Sequence, residues 1–473
     1  MTLDWNKLLC AQRLRELDGG TPSVRDEHEL RSEFDRDYDR AVFSTPVRRL
    51  QDKTQVFPLE PHDAVRTRLT HSLEVSTLAR GLARAVGDQL VKTARMDQQQ
   101  AASIEVIAAT CGLLHDVGNP PFGHSGEKAI SSWFKKREER EPSFFKELDA
   151  HASKEQLRQD FLEFEGNAQT LRIVSKLQLL ADRHGLNLTV GTLSAAMKYT
   201  AASDKLGAAS HQKKPGYFAS EQKVVSIIRD QTETQTARNP IAYLVEACDD
   251  TIYATVDLED GIKKGVITWK DLNQAVPDAA PKESRDFIVA QLNAASNYVK
   301  DRVGSPNLDI EERAFDEAKA QYFRTVVITK TKTAVIQAFM DQYDSIMEGS
   351  YTGDLIADSK AFALIAACKS IGRKYVYSSA QTLRLELLGR RVIHDLMDLF
   401  WEGVSAQDGS GKASGFAAKI YALLSRNYRT VFEQSIQDSA LPKDYHRFQL
   451  VTDYVCGMTD TFACKLHSEL THG

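Results

Sequence analysis

Apolar residues at helical spacing, Ile104, Ile107, Ala108, Cys111 and Leu114, run into His115-Asp116, and the run is then broken by Gly118 and the pair Pro120-Pro121. A proline lacks the backbone donor that a helix interior needs, so the helix must stop here, with a histidine and a carboxylate side by side at its end. A His-Asp dipeptide alone is commonplace, and a lone histidine on an apolar face is more often a hydrogen-bonded core residue than a ligand. The context changes that balance. His71 lies upstream in an apolar-periodic segment and Asp249 lies far downstream in another, which completes the order His, His-Asp, Asp.

Around these residues the chain reads as helical almost throughout. Leu69, Leu73, Leu78, Leu82 and Val86 predict the buried face of a helix that carries His71 near its start, with Arg68 one turn earlier on the same side. Asn239-Pro240 opens a further helix, an N-cap amide followed by a proline at the first helical position. Ile241, Leu244, Val245, Cys248, Ile252 and Val256 form its buried stripe, and Asp249, Tyr253 and Asp257 recur every four residues beside it. Asp250 is rotated by about 100 degrees from Asp249. Helical patterns return over 315–347, 361–371, 380–399 and 416–423, whereas the Gly- and Ser-rich stretch 407–415 predicts a loop.

The expected fold class is therefore all-α. Its expected parts are a charged N-terminal segment over 1–60, a metal and substrate core over 61–265, and a helical C-terminal region over 266–473. Within the core, the charged stretch 135–160 predicts an inserted lobe or mobile flap, and the charge run over 25–40 predicts a solvated face. A formal charge of -5 supplies no global field to draw in nucleic acid, so an anion would need a local basic pocket. Six cysteines without C-x-x-C spacing predict reduced thiols. With no secretory leader pattern and no apolar run of about 20 residues, the expectation is a soluble, cytoplasmic protein without a membrane partner.

Several long words sharpen this. Arg68-Leu69-Thr70-His71-Ser72-Leu73-Glu74-Val75, the stretch from His115 to Glu127, Phe164-Glu165-Gly166-Asn167-Ala168-Gln169, Asp249-Asp250-Thr251-Ile252-Tyr253 and the stretch from Asp453 to Asp460 occur in one order. In these words the chain resembles the deoxyguanosine triphosphate triphosphohydrolase (dGTPase) family of HD-domain metal phosphohydrolases. The resemblance runs from Trp5 almost to the C-terminus.

The resemblance implies a metal site of His71, His115, Asp116 and Asp249, and catalysis by His124 with Glu127 as its orienting acid. It also implies substrate contacts from Gln51, Arg68, Asn167, Lys198, Tyr199, Tyr253 and Asp257. Two imidazoles and two carboxylates suit Mn2+ or Mg2+, with Fe2+ or Co2+ as alternatives, better than a closed structural zinc site. The implied reaction is dGTP plus water to deoxyguanosine plus tripolyphosphate. Other HD phosphohydrolase chemistry, on monophosphates or cyclic nucleotides, and a non-catalytic dNTP-sensing or ssDNA-binding assembly stand as alternatives. Base choice and activation by a second dNTP or ssDNA stay open, and the family likeness implies a homo-oligomer, a hexamer being one form, with the region 266–473 completing the pocket and building subunit contacts. For Arg447 the expectation is a surface or structural role.

Overall fold

The computed structural model describes residues 2–22, 28–57, 59, 65–178, 183–303, 312–407 and 415–471. The architecture is all-α, and the one sheet among these residues is a short parallel pair, Ala201–Ala202 with Pro215–Tyr217. Three helices make the frame of the site. Arg68–Lys92 and Gln98–Leu114 lie against each other, and Pro240–Lys263 crosses both.

Small residues explain the closeness of the first pair. A Cβ on Gly112 would sit 2.8 Å from the Ser76 Cα, so only glycine permits this approach. The buried face of the Arg68–Lys92 helix is accordingly Ser72, Val75, Ser76, Ala79, Ala83 and Val86, together with Leu82 and Leu90. Leu73, expected in the core from its apolar character, is 45% exposed. A seam of serines and alanines outranks hydrophobicity where two backbones must nearly touch.

The Pro240–Lys263 helix starts as expected, with the Asn239 side chain accepting from the Ile241 N–H, and its apolar stripe is buried. Asp37 corrects the expectation of a solvated face at 25–40. It is fully buried, paired with Arg13 at 2.9 Å and accepting from the backbone and hydroxyl of Thr189. Residues 25–27 of that run lie outside the described residues, as does most of the predicted 407–415 loop.

The stretch 135–160, charged in sequence, is anchored by buried apolar residues. The helix Gly123–Arg140 continues through its first part, and Phe144, Phe145, Leu148 and Leu157 beyond it are buried. Phe134, Phe144, Phe145 and Phe161 gather around Phe448 from the C-terminal region, with ring centroids 4.8 to 5.6 Å from it. Each such pair adds about 0.5–1.5 kcal/mol beyond its area burial, which favours a packed segment over a mobile flap.

Two large apolar cores result among the described residues, beside a small cluster of Val56, Phe57, Val65 and Val376. One surrounds the Arg68–Lys92, Gln98–Leu114 and Pro240–Lys263 helices; the other joins Gly123–Arg140 and Gly166–Lys176 to the helices Ala380–Ser405 and Lys443–Cys456. His115-Asp116 falls where they meet, because Cys111 packs in the first and Leu113, Leu114 and Val117 pack in the second. No described helix is long and apolar enough to cross a membrane.

Candidate functional site

A cavity of about 510 Å³ opens at this junction, within the range of small-molecule sites. Side-chain atoms of His71, His115 and Asp249 lie within 4.8 Å of one another on its wall. His71 Nε2 is 3.1 Å from Asp249 Oδ1, and His115 Nε2 is 3.5 Å from the same oxygen. His115 Nδ1 donates to the Gly112 carbonyl at 2.8 Å, which leaves its Nε2 lone pair facing Asp249 and, at 3.4 Å, Asp116. That nitrogen is buried and has no hydrogen-bond partner.

A bare Nε2 lone pair aimed at two carboxylates would be repulsive, so a cation, either a proton or a metal ion, belongs between them. Burial alone would depress the His115 pKa, but Asp116 and Asp249 overcome it and lift the ring to about 10. Both acids are held well below the usual carboxylate range despite burial, Asp116 chiefly by Arg68 and Asp249 chiefly by His115. The set therefore fits a divalent ion, which would replace the proton. In the apo protein, Mn2+ binding near pH 8 should release about one proton per ion and weaken about tenfold per unit as pH falls, because the ion displaces the proton from His115. Calorimetry in buffers of different ionisation enthalpy reads this directly; uptake without proton release would contradict it.

Asp116 stands beside this trio. One of its oxygens accepts from Arg68 Nη1 at 2.6 Å and the other accepts a short bond from the Asn119 amide. Asp250 turns to Lys369 at 2.7 Å and lies outside the trio.

His124 is exposed on the cavity wall, and its Nδ1 lies 2.7 Å from Glu127 Oε2. Burial pushes the Glu127 carboxyl up, but His124, Lys214 and the Gly166 N–H hold it below its ordinary value. An ionised Glu127 accepts from the ring's Nδ1–H, which leaves Nε2 as the proton-exchanging atom. The other Glu127 oxygen accepts from the Gly166 N–H at 3.0 Å. Gly166 must lack a side chain there, since its Cβ would fall 2.6 Å from that oxygen and 2.5 Å from Asn119 Oδ1.

Cations line the rest. Lys198 lies 3.5 Å from Asp249 and 3.7 Å from Glu246; burial would lower its pKa, but those acids raise it. Arg68, Tyr199, Tyr253 and Asn167 also line the cavity, with the Asn167 amide donating to Glu165 at 2.6 Å.

Two expected residues are elsewhere. Gln51 is exposed and does not line the cavity; Gln55 does, four residues on, with its carbonyl oxygen buried and unpartnered. The arginine-flanked Gln51 sits on a one-turn 3-10 helix, Leu50–Asp52, whose buried anchor is Leu50. Asp257 follows the helical repeat but is covered by Tyr377, whose hydroxyl donates to it in a short bond while its ring stacks on Tyr253 at 6.0 Å. Burial drives the Asp257 pKa far up, and its second oxygen has no partner.

Sequence reading named no individual cavity residue in the C-terminal region, where Arg373, Tyr377, Thr382 and Glu386 line the same cavity. Arg373 and Tyr377 lie on a π-helical turn, Gly372–Tyr377. Such turns recur at functional sites, yet no periodicity announces them. Lys214 also lines the cavity and pairs with Glu165 at 2.8 Å. Arg447, as expected, stays away from the cavity and donates to the Gln407 carbonyl.

Comparison with known proteins follows the same division. The family model described as HD domain matches residues 68–197, and that described as phosphohydrolase-associated domain matches 355–469. A deoxyguanosinetriphosphate triphosphohydrolase-like protein of Listeria innocua is 37% identical, covering 99% of both chains. The deoxyguanosinetriphosphate triphosphohydrolase of Salmonella enteritidis is 31% identical over 97% of this chain and 96% of its own. That of Salmonella arizonae is 32% identical with the same coverage.

Proposed function

This chain belongs to the deoxyguanosinetriphosphate triphosphohydrolase family of HD-domain hydrolases, and on that premise we propose that it hydrolyses a deoxynucleoside triphosphate, dGTP by preference, to deoxynucleoside and tripolyphosphate. The observation that carries the reading is the convergence of His71, His115 and Asp249 on one wall of a cavity that His124 and several cations also line. The preference for dGTP is supported by the names of the Salmonella relatives.

His71, His115, Asp249 and Asp116 would hold Mn2+ or Mg2+. Asp116 would give up its bond to Asn119 or share its bond to Arg68. When bound, the ion supplies Lewis-acid polarisation of a phosphoryl oxygen and acidification of water. Arg68, Lys198, Lys214 and Arg373 offset the charge of the triphosphate and hold it in line for attack at the α-phosphorus. As a water oxygen bonds to the α-phosphorus and that water gives up a proton to solvent, the bond to the 5′ oxygen breaks and His124 Nε2 delivers a proton to that leaving oxygen. Glu127 keeps the ring oriented through its Nδ1. Tyr253 and Tyr199 offer flat faces to the nucleoside, and Asp257 accepts from a sugar hydroxyl once Tyr377 yields it. The region 266–473 completes the pocket through Arg373, Tyr377, Thr382 and Glu386.

The test is a product assay. Purified protein incubated with each dNTP and Mn2+ or Mg2+ should release deoxynucleoside and tripolyphosphate in equal amounts, fastest from dGTP. Chromatography that finds dGMP with pyrophosphate, or dGDP with phosphate, would overturn the reading.

A further inference from the structure

The turn that presents His124 is left-handed at two consecutive residues, with φ +64° at Phe122 and +58° at Gly123. Glycine accepts this freely, whereas phenylalanine is strained there and stays only if its surroundings hold it. The restraint comes from the far end of the chain. Asp460, 2% exposed, takes the Phe122 N–H on Oδ1 at 2.9 Å and the Thr54 N–H on Oδ2 at 3.0 Å, with a further short bond from the Thr54 hydroxyl.

Asp460 opens the helix Asp460–Thr471, but each of these three donors belongs to a segment of the cavity wall. Lys53 secures the same turn from its other side, its buried ammonium donating to the Asn119 carbonyl at 2.6 Å and to the Cys456 carbonyl at 2.7 Å. Gly389 completes the clamp. A Cβ there would lie 2.5 Å from Phe122 Cγ, so the phenyl group rests directly on the backbone of the helix Ala380–Ser405.

We propose that Asp460 is a positioning residue for hydrolysis: its hydrogen bond to the Phe122 N–H holds the left-handed turn and thereby fixes where His124 meets the leaving oxygen. The inference rests on the reading of His124 as the proton donor. It gives the C-terminal word Asp453 to Asp460 a task in the chemistry, which its distance in sequence conceals.

The experiment compares Asp460→Ala, Asp460→Asn, Gly389→Ala and His124→Ala in the full chain, reading kcat, KM for dGTP, and Mn2+ bound per chain. Asp460→Ala frees the Phe122 N–H, and the resulting misplacement of His124 should lower kcat roughly 100-fold, with KM and bound Mn2+ unchanged. Asp460→Asn keeps an oxygen for the Phe122 N–H but sets its NH2 against the Thr54 N–H, so it should lose clearly less rate than Asp460→Ala. Gly389→Ala displaces Phe122 from a different helix and should reproduce the kcat loss, which keeps the test intact if Asp460→Ala does not fold. Equal losses in the Asn and Ala variants, a full rate in Asp460→Ala, or a loss of metal together with rate would each overturn the proposal. If His124→Ala keeps its rate, the His124 reading fails and this inference falls with it; if only His124→Ala loses rate, the fault lies in the role given to Asp460.

Discussion

Asp249→Ala is expected to lower kcat by at least about 10³-fold, equivalent to about 4 kcal/mol of lost transition-state stabilisation. Asp249 faces both His71 and His115, and its removal leaves no carboxylate in the trio. Lys198 would also lose a counter-charge 3.5 Å away, so placement of the triphosphate would suffer alongside the metal. Asp250→Ala is the control. That neighbour pairs with Lys369, and its loss should leave Mn2+ binding intact and change kcat far less. Steady-state assays of both variants decide between them, and a comparable loss of metal in the two would show that the helical register around Asp249 has been misread.

His124→Ala is the second large effect, expected in kcat at roughly 10²- to 10⁴-fold, the usual worth of a positioned proton donor. His124 is exposed and sits outside the trio, so the variant should fold and bind Mn2+ as the parent does. Glu127→Gln should follow it more weakly. The amide can keep the Gly166 N–H bond through its oxygen, but its NH2 then faces His124 Nδ1 and no longer accepts from the ring. A His124→Ala variant with an unimpaired rate would remove the residue from the chemistry.

Part of this site was legible because its residues stand at local breaks or on strong repeats, and the rest was named only through the family resemblance. The proline pair ended the helix at His115-Asp116, whereas the choice of Asp249 over Asp250 came from matching Tyr253 and Asp257 to the family pattern; the trio contains Asp249. The helical fold followed from the same periodicities. What escaped was decided between segments. Leu73 yields the core to serines and alanines because Gly112 brings two backbones together, a fact about the partner helix. The acids and bases of 135–160 hid phenylalanines whose partner, Phe448, lies about 300 residues on. Asp257 kept its predicted side of the helix, but nothing in that helix foretells the tyrosine that covers it. Gln51 drew notice from its charged neighbours, whereas the cavity takes Gln55.

The account stands on one ion held by the His71, His115, Asp116 and Asp249 side chains. Elemental analysis of protein dialysed against saturating Mn2+ measures this most directly. One ion per chain in the parent, falling to near zero in the His71→Ala and Asp249→Ala variants, is the predicted result; a parent chain that retains no ion would contradict it.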